Sequence, residues 1–320
     1  MNRAEHQFAD TSEVSVRQKI ALIIPTHNGL RYWHALSEGI RTQSLQPQQV
    51  IIVDSASTDG TAREARKAGY TVLEIDSKDF DHGGTRQFAV EHAPDADILL
   101  FLTQDAIPSD TNAFKQLVSA FQDLSIGAAY GRQLPRAKAK PIEAHARQFN
   151  YPPTSAVRSW ETRSNLGFKS IFFSNSFGAY RREALMSVGG FSSDVIFGED
   201  TLVVARLHRA GWKTAYIADA LVQHSHSYSI REEFRRYFDI GVLHAREGWL
   251  LEHFGSATGE GRRFVVSELN HLLKHAPHLI PSAFTRTITK LLGYKVGRQE
   301  HKIGSRLKYH LGLNKAFWSR

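Results

Sequence analysis

Several groups of residues in this chain have types and spacings that could do chemistry. Asp105 follows the apolar run Ile98-Leu99-Leu100-Phe101-Leu102 after Thr103-Gln104, and Asp54 directly follows Val50-Ile51-Ile52-Val53. A carboxylate at the end of a buried strand can ligate a divalent cation or accept from a hydroxyl or imide N–H. Asp59 has two open roles, a ligand carboxylate or the cap of the helix starting at Thr61. His82-Gly83-Gly84-Thr85-Arg86 places two glycines before a helix. Their backbone N–H groups and the helix dipole suit a phosphate, with Arg86 one turn in; the plainer alternative is a turn. Glu199-Asp200 follows Gly198 and opens a helix. Acids there stabilise the helix start, and one of them could equally act as a general base beside a pocket. His224-Ser225-His226 puts two imidazoles at i and i+2 at a strand end, hence on one face, a spacing that suits a metal.

These groups need a scaffold that brings strand ends together. Strands are expected over 19–25, 50–53, 71–75 and 98–102, each a short run of apolar and β-branched residues closed by polar ones. Helical spacing separates them, over 30–43, 61–68 and from 84 to 92. The alternation predicts an α/β fold, a Rossmann-like, mostly parallel mixed sheet with helices on both faces. Its ligands would sit past the carboxyl ends of the strands. A further helix is expected over 111–124 and a strand over 128–131. Residues 132–164 are polar, basic and proline-containing, the profile of a surface flap. Strands are expected within 168–180, a helix over 201–210 and a strand over 214–217. From 230 onward the pattern is helical, over 230–254, 260–275, 281–292 and 304–311. Three regions follow: an extension over 1–18, an α/β domain over 19–228, and a basic helical region over 229–320.

Composition narrows the function. The 320 residues contain no cysteine, which excludes disulfides, zinc–thiolate sites and thiol catalysis. The net charge is +8, and residues 228–320 supply all of it, with 16 Lys/Arg against 8 Asp/Glu. A basic third beside a neutral two-thirds predicts an anionic surface as partner or, more simply, a solvated basic face. Aromatic and basic residues interleave along 230–254, as in interfacial anchors, although helices covering the sheet edge would show the same pattern. Neither a secretory signal nor a transmembrane helix is expected.

Five segments in order, Ile23-Ile24-Pro25-Thr26-His27-Asn28, Val53-Asp54-Ser55-Ala56-Ser57-Thr58-Asp59-Gly60-Thr61, Thr103-Gln104-Asp105, Gly198-Glu199-Asp200 and His224-Ser225-His226, resemble the inverting glycosyltransferases of family 2, with their GT-A nucleotide-sugar fold. Within that family, Asp79-Phe80-Asp81-His82-Gly83-Gly84-Thr85-Arg86 with His224-Ser225-His226-Ser227-Tyr228-Ser229 resembles bacterial rhamnosyltransferases that use dTDP-L-rhamnose. The resemblance covers roughly residues 20–230 and implies roles. Pro25, Thr26, Asn28, Asp54 and Asp59 would line the nucleoside pocket, with His82, Gly83, Gly84, Arg86 and Gln104 also on the donor side. Asp105 would ligate Mg²⁺ or Mn²⁺ on the diphosphate, completed by His224 or His226, with His224 favoured because it falls nearest the strand end. Gln104 stands where the family carries a second carboxylate. Asp200 would be the catalytic base, paired with Glu199. The acceptor implied is a glycan on a polyprenyl-diphosphate lipid, as in O-antigen-like surface polysaccharides, and the location implied is the cytoplasm, peripheral on the inner face of the cell membrane.

Three rival readings stand beside this one. The same fold could use another donor, UDP-N-acetylglucosamine or a galactofuranose nucleotide. A nucleic-acid-binding module would explain the basic C-terminal region but not the acidic loops, and no nucleic-acid motif is present, so no nucleic-acid partner is expected. A catalytically dead glycan-binding homologue would require Asp105 and Asp200 to be dispensable.

Overall fold

The computed structural model describes residues 18–256 and 258–319; the expected extension over 1–18 lies outside them except for its last residue. Strand β1 (Ile20–Thr26) leads to α1 (Leu30–Arg41), β2 (Gln49–Ser55) to α2 (Thr61–Lys67), and β3 (Thr71–Ile75) to α3 (His82–Glu91). Strands β4 (Ile98–Leu102) and β5 (Ile107–Pro108), helix α4 (Ala113–Ser119) and strand β6 (Ile126–Leu134) follow. Then come α5 (Pro141–Asn150), β7 (Ala156–Arg158), α6 (Arg163–Leu166), β8 (Phe177–Arg181), α7 (Arg182–Ser187), α8 (Glu199–Arg209) and β9 (Lys213–Gln223).

All nine strands form one sheet of order β3-β2-β1-β4-β8-β6-β9-β5, with β7 pairing β9. From β3 to β4 every pairing is parallel, as the apolar runs predicted. Beyond β4 the sheet is mixed: β8 runs antiparallel to β4 and β6, while β6 and β9 are parallel. A strand buried on both faces needs apolar residues at consecutive positions. In β1, Leu22 and Ile24 pack with Trp33, Leu36, Phe114 and Leu117 on one face. Ala21 and Ile23 pack with Phe101, Tyr130, Tyr180 and Val203 on the other.

Segment 132–164 is not a flap. It holds α5 and β7 against the sheet, because Tyr151 is buried among Tyr130, Phe172 and Tyr216. Arg158 also donates to the carbonyls of Lys169 and Phe172. The helix expected over 111–124 stops at Ser119 and tightens into a 3₁₀ turn, Ala120–Gln122. Of residues 168–180, only β8 is strand, preceded by the 3₁₀ turn Gly167–Ile171.

The helical region comprises α9 (Ile230–Arg246), α10 (Gly248–Phe254), α11 (Thr258–His275), α12 (Ile280–Gly297), α13 (Ser305–Leu311) and α14 (Lys315–Trp318). The helix expected over 230–254 is thus two, broken at Glu247, whose φ of −103° and ψ of 53° leave the helical region. A full capping box starts α9: Ser229 Oγ accepts from Glu232 N–H, and Glu232 accepts in return from Ser229 N–H. Phe238, Val242 and Leu250 are buried, so these residues of 230–254 serve the interior rather than an interface. Among the described residues no helix is long and apolar enough to cross a membrane.

Candidate active site

The parallel strands end on one edge, and their following loops carry the candidate residues. The loops after β1 and β2 interlock. Asn28 (φ 47°) and Ala56 (φ 54°) both take left-handed backbone, which non-glycine residues rarely adopt. Asn28 N–H donates to Ser57 Oγ at 2.8 Å, and Asn28 Oδ1 accepts from Thr58 N–H at 2.9 Å. Asp54 is buried, accepting from Thr26 Oγ1 at 2.9 Å and from the Ser57 hydroxyl and N–H at 2.6 and 2.8 Å. Pro25, half-buried in β1, pairs in register with Val53, one residue before Asp54. The N-cap of α2 is Gly60, and Asp59, one residue earlier, joins the two loops: Oδ1 accepts from Thr61 N–H at 3.0 Å, while Oδ2 accepts from Leu30 N–H at 2.9 Å. Burial would raise the Asp59 carboxyl, but the Thr61 and Leu30 donors outweigh it and hold it below its ordinary range.

Gln104, the residue in place of a second carboxylate, clamps the loop after β1. Its Oε1 accepts from His27 N–H at 2.9 Å and its Nε2 donates to the His27 carbonyl at 3.1 Å. A charged Asp could not supply both halves of that clamp.

The glycine pair does not present open N–H groups. Asp81 caps α3, and its Oδ1 accepts from Gly83 N–H at 3.0 Å and Gly84 N–H at 2.7 Å. Gly83 is required for another reason, since a Cβ there would collide with the Ser192 carbonyl oxygen. Arg86 donates to the His82 carbonyl and pairs with Glu199 Oε1 at 3.1 Å, both side chains buried. His82 stands edge-on to Phe80, and burial lowers its imidazole below the ordinary range.

The two adjacent acids have different fates. Glu199 is held by Arg86 and by Asn175 Nδ2 at 3.1 Å. Burial would raise it, but the Arg86 charge and the Asn175 hydrogen bond prevail and hold its carboxyl below the ordinary range. Half-buried Asp200 accepts from Thr201 N–H at 2.7 Å and Asn175 N–H at 3.2 Å. Burial and the neighbouring Glu199 charge push its carboxyl up to about 7.

Asp105, His224 and His226 meet where β4 and β9 end, with one potential ligand atom from each lying within 4.8 Å of the others. Asp105 Oδ2 is 3.4 Å from His224 Nε2 and 3.7 Å from His226 Nε2. His224 Nδ1 lies 2.8 Å from Gln133 Oε1. An amide oxygen only accepts, so this contact assigns the proton to Nδ1 and turns an Nε2 lone pair toward Asp105. Burial lowers both imidazoles, His226 to about 4, so both are neutral donors at pH 7. Burial would raise Asp105, but the histidines and Thr103 hold it well below the carboxylate range. An ionised carboxylate with two neutral imidazoles fits a divalent cation.

A polar chain joins this cluster to the acid pair. Gln133, which accepts from His224, donates Nε2–H to Ser174 Oγ at 2.9 Å; the next residue, Asn175, contacts both Glu199 and Asp200. Arg147 donates to Gln133 Oε1 at 2.7 Å, and Arg136 donates to the Asp105 carbonyl at 2.5 Å while stacking on Tyr32. Ser174 and Asn175 lie in the small-residue-rich stretch 168–180 expected to hold strands, but Gln133, Arg136 and Arg147 were not picked out by the sequence motifs. They are single polar residues on β6, on α5 and in loops, without a spacing signature.

The profile of glycosyl transferase family 2 matches residues 21–189. The chain therefore belongs to glycosyl transferase family 2. It is 46% identical over 302 residues to the O-antigen chain rhamnosyltransferase RfbN of Salmonella typhimurium, covering 94% of this chain and 96% of the relative. It is 44% identical over 299 residues to the O-antigen chain rhamnosyltransferase WbaN of Salmonella anatum, covering 93% and 95%. Among solved structures, it resembles the mannosyltransferase PcManGT from Pyrobaculum calidifontis, in complex with GDP-Man and Mn²⁺, with a TM-score of 0.57. That match covers 95% of this chain and 86% of the other at 17% identity, and it bears on the fold alone.

Proposed function

We propose that this enzyme transfers L-rhamnose from dTDP-β-L-rhamnose to a glycan acceptor during O-antigen-like polysaccharide synthesis, with inversion at C1. The observation that carries the reading is the Gln133–Ser174–Asn175 chain, which ties a cation-ready cluster to a base of pKa about 7 on one sheet edge. Two O-antigen chain rhamnosyltransferases related along nearly the whole chain support the sugar. The acceptor in this reading is carried on a polyprenyl-diphosphate lipid, and the enzyme works peripherally at the cytoplasmic face of the membrane.

Asp200 takes the proton of the acceptor hydroxyl as that oxygen attacks C1. The bond from C1 to the diphosphate oxygen breaks on the opposite face, so a β-linked donor yields an α-L-rhamnoside. A base with pKa near the working pH is ionised in a large fraction of molecules yet still strong enough to accept the proton. Glu199, ionised and held by Arg86, raises that pKa through its charge and orients Asp200 through Asn175. Mg²⁺ or Mn²⁺ held by Asp105, His224 and His226 would supply Lewis-acid stabilisation of the departing diphosphate. Arg136 and Arg147 stand beside the same cluster and add positive charge where the leaving group gains negative charge. Pro25, Thr26, Asn28, Asp54 and Asp59 shape the loops that receive the nucleoside.

A donor panel tests the assignment. Purified enzyme with Mn²⁺ and a lipid-linked glycan fraction should consume dTDP-L-rhamnose and leave UDP-N-acetylglucosamine and UDP-galactofuranose intact. Consumption of a UDP-sugar alone would keep the glycosyltransferase and remove rhamnose.

A further inference from the structure

Helix α12 is assembled inside out for a helix in water. Where α12 meets α9 the backbones approach closely, since a Cβ on Gly293 or Gly297 would collide with the carbonyl oxygen of Phe234 or Phe238, with Tyr294 and Val296 beside them, and Ala283 is buried against α11. Four large apolar residues point away from both. Phe284, Ile288, Leu291 and Leu292, spaced i, i+4, i+7, i+8, are 67%, 43%, 55% and 53% exposed. On α11, Val266 and Leu273 are 53% and 62% exposed, two turns apart. In water the hydrophobic effect puts large apolar side chains inside. Small residues inside and large ones outside is how helices pack where the surrounding solvent is hydrocarbon. Because α12 is not long and apolar enough to cross a membrane, such a helix lies in the interface plane.

Charge selects the occupant. Helix α12 carries no acid; its Arg286 and Lys290 pair with Glu233 of α9, while Lys295 and the following Arg298 are exposed. Residues 280–320 hold nine Lys/Arg and one acid, Glu300, which is buried and paired with Arg246 and Lys308. On α11, Glu260 pairs with Lys169 and Glu268 is buried. A second copy would bring a like-charged face against this one, whereas an anionic bilayer complements it. We propose that the outer face of α12, flanked by α11, is the surface by which this enzyme docks on an anionic lipid bilayer. The purpose of the docking rests on the lipid-linked acceptor of the function proposed above; the docking itself does not depend on which sugar is transferred.

Flotation of the full-length protein with phosphatidylcholine vesicles, with and without phosphatidylglycerol, tests the surface. The wild type should float with the anionic vesicles. The triple variant Phe284→Ser, Ile288→Ser, Leu291→Ser should partition about tenfold less or weaker still, with unchanged circular dichroism and an unchanged thermal shift with dTDP and Mn²⁺. The apolar pair Phe284→Leu, Ile288→Leu should float like the wild type, separating lost hydrophobicity from any change in shape. Wild type that stays at the bottom, or a triple variant that floats equally, would overturn the proposal. A wild-type dimer that the triple variant converts to monomer would also overturn it, and would give the face to a second copy.

Discussion

At Asp200 the environment and the chemistry point the same way. Burial and the Glu199 charge raise the carboxyl to about 7, so as a base it is ionised above that pH and protonated below it. Turnover should therefore rise with pH through a midpoint near 7 and fall about tenfold per unit on the acid side. A pH–rate profile measured with the donor saturating checks this. Asp200→Asn keeps the acceptor oxygen for Asn175 and Thr201 but cannot take a proton. It should lower turnover about 10²–10⁴-fold while dTDP affinity, read by calorimetry, stays within twofold or so. Gln133 is a positioning residue, because its amide fixes the His224 tautomer. Gln133→Ala should weaken Mn²⁺ binding about 10–100-fold and leave the Asp200 midpoint in place, a separation that a general loss of structure would not give.

Two interfaces carry the argument at the scale of elements. The α9–α12 contact depends on Gly293 and Gly297, so Gly297→Val should cost roughly 2 kcal/mol or more in urea unfolding. In the middle of α9, one residue after Phe238, Asp239 is buried and accepts from Leu313 and Asn314 N–H at 3.0 Å each. Burial raises its carboxyl to about 7. The folded state thus binds this proton more tightly than the unfolded chain. The contribution to stability is full at about pH 4 and below, and is lost as pH rises toward 7. Asp239→Asn should stabilise the protein at pH 8 by about 1 kcal/mol or more. Equal unfolding midpoints for the two proteins at pH 8 would contradict the burial argument. Elements of the parallel half were legible in the sequence because strands buried on both faces read as uninterrupted apolar runs. The antiparallel half was less so. Tyr151 and Arg158 anchor α5 and β7 through partners far along the chain, and no local pattern announces such contacts.

The molecule as a whole combines a donor edge that local sequence describes well with a second half that only the fold explains. Asp54, Asp105, Asp200 and the paired histidines could be named in advance because each punctuates a strand or opens a helix. Gln133, Arg136 and Arg147 could not, since their importance comes from standing beside a centre assembled where β4 and β9 end. The same holds for charge: composition placed the excess in the last third, and the structure shows that Arg246, Arg286, Lys290 and Lys308 of that third pair with Glu233 and Glu300. The most direct test of the account is thermal unfolding of the intact protein with dTDP, UDP and GDP, each with and without Mn²⁺, beside Asp105→Ala. A ligand that binds the folded state raises the midpoint by mass action. The account predicts the largest shift for dTDP with Mn²⁺, a smaller one without the ion, and loss of the ion's effect in Asp105→Ala. A shift for UDP or GDP exceeding that for dTDP, or an Mn²⁺ effect that survives Asp105→Ala, would contradict it.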